Sequence, residues 1–226
     1  MKISIISDIH SNLEAFQAVL KDIKKHKPKL ILNAGDIAGY ASSPNECIEL
    51  VKKNNILSVM GNHDLCCANL EKIEWFNEYG QKAALWQNKI LTLKNKNFLL
   101  KLPKYIEKEN FFIVHGSPID PLYEYIFPET SSWKLKEFFT VTKKPILIMG
   151  HTHISFIKKF KNKLVINPGS IGQPRDGNAN ASYCILDTKN LKARIIRIPY
   201  NIDIAANKIL KNKLPNFLAQ RLFLGT

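Results

Sequence analysis

The chain has no apolar stretch approaching the ~20 residues of a membrane-spanning helix, which excludes an integral membrane role of that kind. Cysteine is scarce as well. Cys47, Cys66, Cys67 and Cys184 are the whole supply and none is in a C-x-x-C spacing, so neither a zinc ribbon nor a disulfide framework is indicated. Such usage fits a reducing cytoplasm. The adjacent Cys66 and Cys67 are expected to pack as small buried side chains rather than to act as a redox pair. Arginine is rarer still in proportion: of 33 basic residues only Arg175, Arg194, Arg197 and Arg221 are Arg. A formal net charge of +14 carried almost entirely by lysine lacks the planar forks that read bases and phosphates. Short pairs such as Lys52-Lys53 and Lys158-Lys159 read as a solvated surface and a compositional bias, although the positive field would still draw in anionic substrates.

Linkers, low-complexity blocks and solenoid repeats are also lacking, so residues 1–226 are read as one domain. Apolar residues make up 45% of the chain, enough for a sizeable core at this length. The apolar run Ile3 to Ile6 is too short for a signal peptide, and any cleaved leader would remove Asp8 and His10, which argues against export.

What the chain does have is histidine in a pattern. Five of its six histidines stand in Asp8-Ile9-His10, Gly61-Asn62-His63-Asp64, His115-Gly116 and Gly150-His151-Thr152-His153, alongside Gly35-Asp36. Each motif follows an apolar run, so its side chains would converge on one edge of a sheet. Imidazole, carboxylate and carboxamide form an N/O donor set suited to Mn, Fe or Zn. A lone Asp-x-His occurs by chance, whereas accidental matches in this number would have to coincide in spacing and in context. His26, in the run Lys24-Lys25-His26-Lys27, reads as surface.

Periodicity places the motifs. Lys2–Ser7, Leu30–Ala34 and Ile56–Met60 read as strands, separated by helices that start at Asn12 and at Pro44, an order that implies parallel strands. Trp75–Ile90 and Leu93–Lys101 read as helices, with Leu85 and Trp86 in the core, and Cys66–Trp75 as a loop. Strands at Phe111–Val114 and Ile146–Met149 flank a helix at Ser131–Phe139. The segments Ile154–Phe160, Leu164–Asn167, Ala181–Leu186 and Ala193–Pro199 read as hairpins of a second, largely antiparallel sheet. Asn201 or Asp203 would cap a helix through Leu210, and the apolar stretch Leu214–Leu224 is expected to pack on the same chain.

The ordered blocks resemble the calcineurin-like metallophosphoesterase superfamily over residues 1 to about 200, and no metal-ligand position of its pattern is missing. Ser7–Ala15, Gly35–Tyr40, Pro44–Cys47 and Asn167–Arg175 look like the small, single-domain bacterial and archaeal phosphodiesterase branch. The resemblance implies an α/β fold, a four-layer α-β-β-α sandwich of two facing mixed sheets. It also implies two divalent ions, manganese first with iron, nickel or zinc as alternatives. Carried over, Asp8, His10, Asp36 and His153 would hold one ion, and Asp36, Asn62, His115 and His151 the other, with Asp36 as the bridge. Such a pair supplies a hydroxide near neutral pH and counter-charge for the phosphoryl oxygens.

His63 is left outside this ligand set and would stabilise the transition state or protonate the leaving group. Asp64 would either orient the His63 ring or cap a helix. Asn167 and Arg175 are candidates for phosphate contacts. The expected activity is hydrolysis of a phosphate ester in a small phosphorylated molecule or nucleotide. The alternatives are a nuclease or dinucleoside polyphosphate hydrolase of the same fold and, less favoured, a non-catalytic scaffold. No membrane partner is expected, and a nucleic-acid partner is not favoured because no basic tract interleaved with aromatics is present to track a strand.

Overall fold

The computed structural model describes residues 1–226. Two five-stranded sheets face each other. The first begins with β1 (Lys2–Ile6), β2 (Leu30–Asn33) and β3 (Leu57–Ser58), all parallel, with Ile3 opposite Leu30 and Leu32 opposite Leu57. Between them run α1 (Leu13–His26) and α2 (Pro44–Lys53). The Asn12 side chain caps α1 by accepting from the Ala15 N–H. Phe16, Val19, Leu20 and Ile23 recur at helical spacing and are buried, which lays this face of α1 on the sheet.

The chain then forms α3 (Asn62–Asn69), α4 (Glu78–Ile90) and α5 (Leu93–Leu100) before entering the second sheet through β4 (Tyr105–Glu107) and β5 (Phe111–Val114). After α6 (Ser132–Thr142) come β6 (Ile146–Ile148), β7 (Phe156–Phe160) and β8 (Lys163–Asn167). The order in this sheet is β4-β5-β6-β8-β7, with β5, β6 and β8 parallel and both edge strands antiparallel. The last strands, β9 (Ala181–Asp187) and β10 (Lys192–Ile198), precede α7 (Ile202–Lys211) and α8 (Asn216–Leu224).

Alternation along the strands builds the layers. Ile3, Ile5 and Leu32 of the first sheet meet Ile113, Ile148 and Ile166 of the second in a core between the sheets. The opposite faces pack on helices: Ile6 joins Phe16 and Ile48, while Phe112, Val114 and Leu147 join Leu135, Phe138 and Phe139 of α6. The four-layer sandwich is therefore observed. No helix is long and apolar enough to cross a membrane.

Several expectations need correction. The Ala181–Asp187 and Lys192–Ile198 hairpin completes the first sheet, where β9 lies antiparallel to β1 with Cys184 opposite Ile5, and the second sheet keeps a parallel centre. Alternating polarity identifies a hairpin but not the sheet it joins. Here β9, buried on both faces for all but its last residue, takes the inner position. The helix expected from Trp75 starts at Glu78, because Asn77 supplies the cap to the Gly80 N–H, and Ile73–Trp75 is a single 3-10 turn. Cys66–Asn69 belongs to α3 rather than to a loop; its N-cap Gly61 has no side chain to announce a start. The short strand β4 lay outside the sequence reading. Leu85 is exposed while Trp86 packs against the C-terminal helices. All four thiols are free and buried, and Cys66 and Cys67 pack in the core as expected of small side chains.

Tyr183 of β9, fully buried, donates from its hydroxyl to Asp22 Oδ2 of α1 at 2.6 Å and so pins the helix to the sheet. Partial burial raises the Asp22 pKa, yet hydrogen bonds from Lys25 and Tyr183 outweigh it and hold the carboxyl below its ordinary 3.8. A depressed carboxyl contributes stability above its unfolded pKa and loses it as pH falls through the folded one. Tyr183→Phe should therefore cost about 1–2 kcal/mol at neutral pH. In urea unfolding the gap from the parent should narrow below about pH 4; an equal gap at both pH values would refute the ionic contribution.

Candidate metal centre

The parallel strands deliver their ends to one rim. Asp8 and His10 follow β1, Asp36 follows β2, Asn62 opens α3 after β3, His115 follows β5, and His151 and His153 follow β6. The turns are laced together by their backbones: the Asp8 N–H donates to the Gly35 carbonyl, that of His10 to Asp36, and that of Gly150 to His115. Five of these seven residues, Asp8, His10, Asp36, His151 and His153, have φ between +46° and +69°. Each left-handed residue costs roughly 1–2 kcal/mol, a strain that concentrates at functional sites. Two glycines make room. A Cβ on Gly61 would lie 2.0 Å from Asp36 Oδ1, and one on Gly150 would lie 2.1 Å from Ser7 Oγ and 3.0 Å from Asp8 Oδ2.

The seven side chains converge as the sequence motifs suggest, all at most 7% exposed. Each carboxylate has one oxygen fixed and one bare. Asp8 Oδ2 accepts from the His151 N–H at 3.1 Å, and Asp36 Oδ1 from the His63 N–H at 2.9 Å. Asp8 Oδ1 and Asp36 Oδ2 have no hydrogen-bond partner. Asp8 Oδ1 lies 3.4 Å from His153 Nε2 and 3.7 Å from His10 Nε2. Asp36 Oδ2 lies between the two groups, 3.5 Å from His10 Nε2 and 3.3 Å from His115 Nε2.

Three imidazoles are locked from behind. Nδ1 donates to the Ala38 carbonyl in His10 (3.1 Å), to Ala34 in His115 (2.8 Å) and to Gln173 in His153 (2.6 Å). A carbonyl can only accept, so Nδ1 carries a proton in each ring and Nε2 is the nitrogen left to present a lone pair to the centre when the ring is neutral. His10 and His153 then bring two such nitrogens within 2.9 Å of each other. His115 Nε2 is 3.0 Å from His151 Nδ1 and 3.1 Å from Asn62 Oδ1. Converging lone pairs and bare carboxylate oxygens, buried from water, need a cation between them. The donor set thus fits divalent metal: three groups of ligand atoms lie close enough to hold an ion, Asp8–His10–His153 and Asp36–His115–His151 at the two ends and His10–Asp36–His63, which shares a residue with each, between them.

Electrostatics separates the rings. Burial lowers the pKa of His10, His151 and His153 well below the ordinary value and keeps them neutral, the form that binds metal. Burial acts on His115 in the same direction, but the Asp36 charge overrides it and lifts the ring to about 9, so a metal ion would have to displace the Nε2 proton of this ring. Burial pushes Asp8 up to about 7 and works upward on Asp36 too, where the His115 and His63 charges prevail and draw the carboxyl down.

His63 lines the cleft above the cluster, clasped between the rings of Tyr40 (4.4 Å between centroids) and Phe76 (4.5 Å). Its Nδ1 is buried without a partner, which leaves Nε2 as the nitrogen open to the cleft. Asp64 does not orient this ring. Its oxygens accept from the backbone N–H groups of Ala38 (2.9 Å) and Gly61 (3.0 Å), so it braces two ligand turns and the start of α3. Asn167 is also a brace rather than a phosphate contact: it is fully buried, donates to the Gly150 carbonyl and Thr152 Oγ1, and accepts from the Gly169 N–H. Arg175 does reach the cleft, where it donates to Tyr40 Oη (3.2 Å) and Gln173 Oε1 (3.0 Å) while its Nε has no partner.

Sequence reasoning missed Gln87, which is fully buried, accepts from Ser11 Oγ and the Gly39 N–H, and donates to the Ala41 carbonyl. The segments Cys66–Trp75 and Ser117–Thr130 are expected from the sequence to carry substrate selectivity, but not the individual side chains of the cleft wall, Trp75, Phe76, Tyr123 and Tyr125. The run Tyr-x-Tyr-x-Phe at 123–127 was the available signal for part of that wall.

Comparison with known proteins agrees with this geometry. Residues 1–191 match the family model of the calcineurin-like phosphoesterase superfamily domain. An uncharacterized protein of Methanocaldococcus jannaschii is 43% identical across 99% of this chain and 98% of its own length. A probable metallophosphoesterase of Methanothermobacter thermautotrophicus is 27% identical over 87% of this chain and 92% of its own. The crystal structure of a metallophosphoesterase from Sphaerobacter thermophilus superimposes with a TM-score of 0.88 at 31% identity, covering both chains in full. The five ordered blocks, the sandwich that brings them to one rim and the match over most of its length agree: the chain belongs to the calcineurin-like phosphoesterase superfamily.

Proposed function

We propose that this phosphoesterase is a two-metal hydrolase of phosphate esters, a phosphodiesterase or phosphatase acting on a small phosphorylated molecule or nucleotide. The observation that carries the reading is the pair of unpartnered oxygens, Asp8 Oδ1 and Asp36 Oδ2, facing the Nε2 atoms of three imidazoles that are each held through Nδ1 by a backbone carbonyl. Asp8, His10 and His153 would hold one ion, Asn62, His115 and His151 the other, and Asp36 Oδ2, within 3.5 Å of His10 Nε2 and 3.3 Å of His115 Nε2, would be shared. Four His and one Asn favour manganese or a similar transition ion over magnesium alone. When bound, the ions supply the Lewis acidity that makes a nucleophile of water and the counter-charge for the phosphoryl oxygens.

The chain's own residues do the rest. Arg175, whose side chain lines the cleft, is placed to bind a phosphate oxygen. The open Nε2 of His63 faces the place of the leaving oxygen; burial lowers the ring's pKa to about 4, so the ring would donate a proton there only if the charge of the bound phosphate raised it. Tyr40 and Phe76 fix the ring's plane, which a carboxylate partner does in other histidine sites. We read the whole chain as one catalytic domain, because both sheets contribute ligands, and place it in the cytoplasm, where its four free thiols stay reduced.

Chelation followed by elemental analysis should abolish turnover of an aryl phosphodiester, with manganese restoring it best; turnover by metal-free protein would overturn the reading. Asp36→Asn should lose more metal and more activity than Asp8→Asn, because it removes charge shared by both sites. Two ions bound with parental affinity in Asp36→Asn would show that it is not the bridge. His63→Ala should keep both ions and lose roughly 10²-fold or more in rate on an alkyl ester, and less on an aryl ester whose leaving group needs no proton. An equal loss on both substrates would reassign His63 to charge stabilisation.

A further inference from the structure

The cleft above the metal centre has a volume of about 320 Å³ and two kinds of wall. Its floor is polar, with His63, His151 and Arg175. Its side is aromatic: Trp75 is 61% exposed, Tyr123 half-buried and Tyr125 50% exposed. Exposure alone marks nothing, since Trp133 is 75% exposed; what sets Trp75 apart is that it lines the cleft above the metal centre beside two tyrosines. Tyr125 is already occupied, since its ring stacks on His151 with centroids 3.9 Å apart and lies nearly parallel to Phe127 on the next turn of chain.

Trp75 and Tyr123 differ. They meet edge to face at 4.9 Å and form a partition, because both also line a neighbouring cleft that contains Glu71, Lys72 and Lys104. The Lys72 ammonium lies 4.2 Å from the Trp75 ring centre and 4.5 Å from that of Tyr123. Lys72 lines only the neighbouring cleft, so it covers the partition from behind and leaves the side toward the metal centre bare. The wall is also anchored. Trp75 ends the 3-10 turn closed by the Phe76 N–H to the Ile73 carbonyl, Ile73 and Phe76 pack against the main core, and the Tyr123 N–H donates to Asp120 Oδ1.

A fixed aromatic face beside a phosphate-binding floor, with a cation behind it, suits a flat heteroaromatic ring. We propose that the Trp75–Tyr123 wall binds the base of a nucleotide, so that the ester hydrolysed belongs to a single nucleotide rather than to a sugar or alkyl phosphate. This assignment rests on the reading of the rim as a phosphoesterase centre. Stacking tolerates any base, and the one polar side chain beside the wall, Asn77, has its Oδ1 engaged by the Gly80 N–H. Discrimination among bases is therefore weak, with purines favoured by area. One platform of this size holds one base, which fits a mononucleotide and not a strand.

The test measures binding of AMP and of base-free ribose phosphate to the manganese-loaded protein by calorimetry. AMP should bind at least about 10-fold more tightly, the scale of one base stacked on an aromatic side chain. Trp75→Leu should erase that difference while leaving ribose phosphate binding unchanged, and Trp75→Phe should keep most of it. Trp75 is exposed, so neither variant threatens folding; Tyr123→Leu gives an independent second measurement with the same expectation. Equal affinities in the parent, including no measurable binding of either compound, or a difference that survives in Trp75→Leu, would overturn the base site. A base-dependent difference in a protein that hydrolyses no ester would instead sink the phosphoesterase reading and leave the base site standing. Brisk hydrolysis of a simple aryl diester with no preference for AMP would do the reverse.

Discussion

Two carboxylates and four imidazoles, sealed from water at the rim of a sandwich, have to be held together against their own chemistry. Asp8 and Asp36 each leave one oxygen without a hydrogen-bond partner, and the carbonyls behind His10, His115 and His153 turn the Nε2 atom of each ring toward them. Removed from solvent, such a group of acceptors is unfavourable by itself. Its surroundings are organised to impose it. The fixed oxygen of each carboxylate is tethered to a backbone N–H of a neighbouring motif, so that Asp36 is held by the His63 N–H and Asp8 by the His151 N–H. The left-handed turns at five ligand positions and the bare Cα atoms of Gly61 and Gly150 are further terms of the same constraint.

The sandwich exists to aim these turns. Parallel strands in both sheets end at one rim, and the inter-sheet core of Ile3, Ile5, Ile113 and Ile148 sets how far apart the two sets of turns stand. Behind the ligands sits a layer of buried polar side chains: Asp64, Gln87 and Asn167 each satisfy two backbone groups in or beside the ligand turns. Such residues resemble catalytic candidates in sequence because they are polar and adjacent to motifs. Their partners, all backbone or hydroxyl groups, define them as braces.

What could be read from the sequence follows from what is local. Strand ends and the ligand motifs are local: His10, His115 and His153 declare themselves by residue type and by the apolar run before them, and the structure brings all seven expected ligands together. The destination of β9 and β10 is not local, since the same hairpin pattern serves either sheet. Nor is the role of Asp64, whose choice between the His63 ring and two backbone amides is decided by Ala38, a residue of another turn. The aromatic wall was hidden for a similar reason. Trp75 and Tyr123 are far apart in the chain, and only folding shows that they share an edge-to-face contact.

The origin of the ligands has a mechanical side. Asp8, His10 and Asp36 belong to turns of one sheet, whereas His115, His151 and His153 belong to turns of the other. Coordination across the rim would therefore rivet two layers that are otherwise joined by side-chain packing and a few hydrogen bonds, such as that of Arg197 to Ser155 Oγ. The centre then acts as a gauge of the layers' alignment: a slip of one sheet over the other, too small to disturb the greasy interior or the helices outside it, would spread the donors and be felt first as a loosened ion.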